Sequence, residues 1–209
     1  MLVAIALLTF PLPLAAQLPL AEVPWQKGEL LYANSLATAG QVADWVMEGP
    51  GEIRFEAGWM HMQSPDEAYH HVFWCPREFP EDFVAEWELQ NLETDAGLVI
   101  AFFAARGKNE ENLFVPALPE RDGTFSHYTH GAIRNYHISY YAHTPDSPDR
   151  GDSHIRKNPG FALVQSGQEG IPTASTAIHR IRLIRSNGHI RMYVDERKIL
   201  DWIDREDLF

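Results

Sequence analysis

Apolar and polar side chains alternate along most of the chain. In residues 51–61, Ile53, Phe55 and Ala57 fall on one side and Glu52, Arg54 and Glu56 on the other. Residues 83–89 repeat the pattern, setting Phe83, Ala85, Trp87 and Leu89 against Val84, Glu86 and Glu88. A period of two marks a strand that buries one face, because successive side chains leave a strand on opposite sides. Residues 97–104 are apolar without alternation, which predicts a strand buried on both faces. Residues 133–142 are rich in Tyr and β-branched side chains, which suit a pleated surface. Residues 179–185 and 189–195 flank Ser186, Asn187 and Gly188. Asn-Gly between two such runs predicts a hairpin with a type I′ turn, whose central positions both need positive φ. Helix signals are confined to residues 35–46 and 201–207. No repeat, low-complexity tract or linker interrupts the chain. The prediction is one all-β domain, an antiparallel β-sandwich over residues 18–209.

The two ends add expectations of a different kind. Residues 1–17 carry no charged side chain. Their apolar run, 2–10, is shorter than the roughly 20 residues that span a bilayer. It fits the apolar core of a secretory signal, with Ala15 and Ala16 as small residues for cleavage. The expectation is a periplasmic or secreted protein whose mature part has no membrane span. At the other end, residues 190–202 read as strand, turn and strand, and no strand pattern follows before Phe209. The sandwich is therefore expected to lack one or two closing strands unless an N-terminal strand completes the sheet.

Charge and cysteine content narrow the function. With 17 Lys and Arg against 29 Asp and Glu, the net charge is −12, which argues against a general nucleic-acid binder. A lone cysteine, Cys75, excludes a disulfide framework and reads as a buried thiol. His127 and His130 are three apart, a metal-compatible spacing only on a helix or tight turn. Asp146, Asp149 and Asp152 lack the spacing of an EF-hand. There is no Walker or dinucleotide glycine motif and no Gly-x-Ser-x-Gly elbow. Neither a metal nor a cofactor is predicted.

Against that acidic background, titratable and cationic groups gather between residues 127 and 160. His127, His130, His137, His143 and His154 lie there with Tyr128, Tyr136, Tyr140, Tyr141, Arg134, Arg150, Arg156 and Lys157. Acid–base chemistry needs groups that titrate near working pH. On a regular strand over 133–142, Asn135, His137, Ser139 and Tyr141 share a face, predicted to line a solvent-facing groove. Tyr136, Ile138 and Tyr140 share the other, predicted to face the core. The first set matches the needs of uronate β-elimination. Asn135 with Arg156 or Lys157 would neutralise the sugar carboxylate, His137 would remove the carbon-bound proton, and Tyr141 or Tyr128 would protonate the leaving oxygen. Arg134 would add to the binding surface.

The rival reading is a lectin-like binder that stacks sugars on exposed rings. Trp25, Trp59 and Trp74 are its candidate platforms, with His71 beside Trp74. Hydrolysis would need two carboxylates roughly 5–10 Å apart. Glu86 and Glu88 share a strand face but read as a solvated surface opposite Trp87 and Leu89.

Several stretches carry a family resemblance. They are HHVFWCPREFPEDFVAEWEL at 70–89, GLVIAFFAARG at 97–107, RDGTFSHYTHGAIRNYHISYY at 121–141, RKNPGFALV at 156–164 and HRIRLIRSNGHIRMYVDERKILDW at 179–202. Together they resemble the YesU-like family of uncharacterised bacterial proteins. The resemblance implies a concanavalin A-like jelly roll and a role in polysaccharide utilisation, with no reaction to carry over. The combined expectation is an exported protein that cleaves an acidic or complex glycan, elimination favoured over hydrolysis, or else a non-catalytic carbohydrate binder.

Overall fold

The structure is a computed structural model that describes residues 25–65, 70–94, 97–143 and 151–205. The expected signal segment, Asp146 and Asp149 lie outside those residues. The strands run β1 (Val46–Glu48), β2 (Glu52–Glu56), β3 (Trp59–Gln63), β4 (Val72–Trp74), β5 (Phe83–Gln90) and β6 (Gly97–Gly107). After a short helix, α1 (Phe125–Thr129), come β7 (Ile133–His143), β8 (Asp152–Asn158), β9 (Ala162–Glu169), β10 (Ile178–Ser186), β11 (His189–Val194) and β12 (Arg197–Ile203). The segment predicted as helix at 35–46 holds only a 3₁₀ turn, Ala39–Val42; of the one at 201–207, residues 201–203 belong to β12 and 206–207 lie outside the described residues.

Two four-stranded antiparallel sheets carry the fold, ordered β12–β11–β10–β5 and β6–β7–β8–β9. Their facing sides make the main core. Ile181, Leu183, Ile190, Met192, Ile199 and Leu200 from one sheet meet Tyr136, Ile138, Tyr140 and Ile155 from the other. The inward set read from β5 packs here, with Phe83, Trp87 and Leu89 against this cluster. Each fully buried Ile is worth about 1.5–3 kcal/mol over its exposed state. The Asn187–Gly188 turn has φ of 50° and 72°, the type I′ geometry its sequence predicts.

A second apolar layer covers the outer face of the β6–β7–β8–β9 sheet. Trp74, Leu113, Tyr128 and Ile133 form it, with Phe102 and Ala105 packed against them. The unbroken apolar run of β6 follows from this arrangement. Val99, Ala101 and Phe103 serve the main core, and Phe102 and Ala105 the second. The run therefore marks two cores rather than a central strand, since β6 is the edge of its sheet. Cys75 is half-buried rather than buried. No helix among the described residues is long and apolar enough to cross a membrane.

Candidate functional site

The second layer changes the meaning of the polar row on β7. Asn135, His137 and Ser139 do face away from the main core, yet they are 0%, 1% and 5% exposed. Helix α1 and the turn after β8 cover them, so the predicted open groove is narrowed to a small, partly open pocket. Its volume is about 230 Å³, and Leu98, Ile100, Phe125, His137, Ser139, Arg156 and Phe161 line it.

The turn 158–161 builds one wall. Gly160 N–H donates to the Thr129 carbonyl at 2.7 Å, tying the turn to the end of α1. Phe161 has φ of 55°, an uncommon conformation for a bulky residue. It places the ring stacked on His137 (centroids 5.5 Å, 28°), edge-on to Phe125 (5.7 Å) and under the Arg156 guanidinium (4.5 Å). Arg156 stands directly opposite His137 in the β7–β8 register.

A chain of amides fixes the state of His137. Asn135 Nδ2 donates to the Tyr128 carbonyl at 2.8 Å, which turns Asn135 Oδ1 toward Asn158. That oxygen needs a donor, so Asn158 must present Nδ2, at 2.7 Å. The same Nδ2 lies 2.8 Å from His137 Nδ1. Nδ1 is therefore an acceptor and the ring proton sits on Nε2. Burial, aided by the Arg156 charge, lowers the His137 pKa to about 4. His137 is a neutral donor at ordinary pH. Its one lone pair is engaged by Asn158, which leaves none for the proton abstraction predicted for it.

Of the residues singled out in the sequence, His137, Ser139 and Arg156 line this cavity, and Asn135 lies beneath it, holding Asn158 against His137. The others lie elsewhere. Tyr141 leaves the row because of a β-bulge: Val99 pairs with Tyr141 and Ile100 with Ser139, skipping Tyr140. The extra residue reverses the alternation. Tyr141 joins the main core, its hydroxyl 3.2 and 3.1 Å from the carbonyl oxygens of Thr94 and Thr173. Lys157 projects to the opposite face from Arg156 and reaches Asp204 at 2.6 Å, between the rings of Tyr136 and Trp202. Tyr128 is wholly buried and accepts the Gly123 N–H at 3.0 Å. Burial, then the Glu48 charge, raises its phenol far above the ordinary range. Arg134 pairs with Glu110.

Trp74 belongs to the second core and donates to Glu48 at 2.9 Å, so it is no platform. His71 is half-buried at β4, bonded to Ser64 at 2.8 Å, and its pKa is lowered by burial and then by His70. Trp25 lies under Arg182, and Trp59 is half-buried in β3. Glu86 and Glu88 occupy the outer face of the other sheet, Glu86 paired with Lys27 and Arg182. No group of three or more His, Cys, Asp or Glu fit to hold a metal occurs among the described residues.

Sequence reasoning missed Phe125, Asn158 and Phe161. The Asn-Pro-Gly turn at 158–160 was the available signal, since a turn of that composition fixes the direction of the residue after it.

Comparisons place this geometry among related proteins. The family model described as a domain of unknown function, DUF1961, matches residues 29–209. The uncharacterized protein YesU of Bacillus subtilis (strain 168) is 34% identical over 183 residues, 86% of this chain and 83% of that protein. A crystal structure of a protein of unknown function with galectin-like fold, also from Bacillus subtilis, matches with a TM-score of 0.82 at 33% identity. The match covers 87% of this chain and 84% of that one. A galectin-like fold is a jelly-roll sandwich, the fold class read from the sequence.

Proposed function

We propose that this chain, which belongs to the DUF1961 family, is a carbohydrate-binding protein whose ligand enters the cavity beside His137. The observation that carries the reading is the composition of that cavity. A neutral imidazole, the Ser139 hydroxyl and the Arg156 guanidinium stand next to the rings of Phe125 and Phe161. A sugar offers the complementary surfaces, hydroxyl oxygens for donors and an apolar C–H face for a ring. The volume lies below the roughly 300–1,000 Å³ usual for drug-sized ligands, which suits one sugar unit of a longer chain. Arg156 favours a unit bearing a carboxylate, because guanidinium matches that group in two bonds.

Binding is favoured over cleavage for chemical reasons. Elimination needs a base with a free lone pair, and Asn158 occupies that of His137. Of the candidate acids, Tyr141 stands on the other face of the sheet and Tyr128 is wholly buried in the second core; of the candidate cations, Arg156 lines the cavity and Lys157 does not. Hydrolysis needs paired carboxylates, and none line the cavity. Export of the mature chain after removal of residues 1–17 completes the reading. Screening the purified protein against arrayed neutral and uronate-containing oligosaccharides tests it. The expected result is retention of a defined subset, with every sugar recovered unshortened and without unsaturated ends. Chain shortening, or no retained saccharide, overturns it.

A further inference from the structure

We propose that Ser175, His179 and Asp195 form a separate acyl-transfer centre, acting on small O-acyl esters. Ser175 lies in the loop that enters β10, His179 near the start of that strand, and Asp195 in the turn between β11 and β12. Ser175 Oγ is 2.6 Å from His179 Nε2, and His179 Nδ1 is 2.6 Å from Asp195 Oδ2. Hydroxyl, imidazole and carboxylate in that order make a nucleophile, its base and the group that orients the base. The other carboxylate oxygen, Asp195 Oδ1, accepts the Arg180 N–H at 2.9 Å, which holds the carboxylate in place. Asp195 accepts a hydrogen bond from Nδ1–H, so the Nε2 lone pair faces Ser175. This is the opposite state to that of His137.

The surroundings suit the chemistry. His179 shares a strand face with Ile181 and Leu183 and sits at the rim of the main core, 7% exposed, while Ser175 is half-buried and reachable. The loop does not depend on the Ser–His bond for its position. Ile171 N–H donates to the Tyr140 carbonyl at 2.8 Å, the Tyr141 hydroxyl lies 3.1 Å from the Thr173 carbonyl, and Gln90 Nε2 donates to the Thr176 carbonyl at 2.8 Å. A nucleophile on a loop fastened in this way is already aimed. The setting, Thr-Ala-Ser-Thr-Ala at 173–177, has no elbow motif, and such a centre is recognised by geometry rather than sequence position.

The reaction balances within these groups. Ser175 Oγ bonds to the ester carbonyl carbon and its proton passes to His179 Nε2. The carbonyl π pair moves to oxygen, and the Ala177 N–H, which donates to Oγ at 3.3 Å in the resting protein, is the donor assigned to meet it. Collapse breaks the bond to the alcohol, which leaves with the His179 proton. Water then attacks the acyl carbon, giving its proton to His179. Release of the carboxylic acid returns that proton to Ser175. Asp195 acts through His179 and is a positioning residue.

The test uses the full chain, a fluorophosphonate probe and 4-nitrophenyl acetate. Neither carries a sugar, so the outcome is independent of the carbohydrate reading. The expected result is one covalent label mapped to Ser175, absent in Ser175→Ala and slowed about a hundredfold or more in His179→Gln. Hydrolysis of 4-nitrophenyl acetate should follow the same order. Asp195→Asn should flatten the rise of labelling rate with pH, and Asp195→Glu should restore it in part. Variants with melting transitions like the wild type, but no label on Ser175, or labelling indifferent to His179→Gln, overturn the proposal.

Discussion

Replacing Glu48 by Gln lowers the stability of the protein by about 3–5 kcal/mol, the range for breaking a buried ion pair from one side. Glu48 and Arg121 side chains are both 8% exposed. Arg121 Nη2 reaches Glu48 Oε1 at 2.6 Å, and its Nε reaches Oε2 at 3.1 Å. Trp74 Nε1 donates to the same Oε2 at 2.9 Å. The carboxylate thus satisfies three donors inside the second core. An amide offers one oxygen and turns an NH₂ group toward either Arg121 or Trp74, and Arg121 keeps its charge without a counter-ion. Its remaining bond, to the Leu113 carbonyl at 3.1 Å, does not offset that. Urea unfolding measures the loss as a lower midpoint at constant slope. Adding Arg121→Met to Glu48→Gln should recover part of it, because the stranded charge is then gone. A loss below about 1 kcal/mol in the single variant would show that water reaches the pair.

A second large effect is pH-linked. As pH falls from 6.5 toward 4, His137 should withdraw about 3 kcal/mol of stability, from its pKa drop at about 1.4 kcal/mol per unit. In this window the unfolded chain binds a proton that the folded protein refuses, so unfolding gains. Above pH 6.5 neither state binds it and the contribution is complete. Below about 4 both do and it is lost. Protonation would also aim an Nδ1–H at the amide of Asn158, replacing a bond by a clash of donors. Carboxylates held below their ordinary range, such as Asp201 and Asp195, lose their own contributions at lower pH. The effect is therefore read as a difference between the wild type and His137→Gln. The variant should show a shallower decline between pH 6.5 and 4, and equal slopes would contradict a buried neutral imidazole.

Particular residues show how far the sequence could be read. Period-two alternation placed Phe83, Trp87 and Leu89 inward, and Asn187–Gly188 marked a hairpin, because each signal is local. Tyr141 was misplaced because one bulge, invisible in composition, reverses every later side chain on the strand. Lys157 was grouped with Arg156, although neighbours on a strand face opposite ways. Once Arg156 pairs with His137, Lys157 must join Tyr136 on the core side. The polar row was read as a groove because its roof, α1 and the 158–161 turn, arrives from other parts of the chain. Ser175 and Asp195 are 20 residues apart and meet only through the β10–β11 hairpin, so no spacing announced them.

The central claim, that the His137 cavity holds a sugar, is tested most directly by calorimetric titration of the oligosaccharide with the strongest array signal. Wild type and Phe161→Ala are compared at neutral pH. Saturable binding by the wild type is predicted, weakened about tenfold in the variant, the equivalent of about 1.4 kcal/mol for the lost ring face. Equal affinity in a Phe161→Ala protein that melts like the wild type would contradict it.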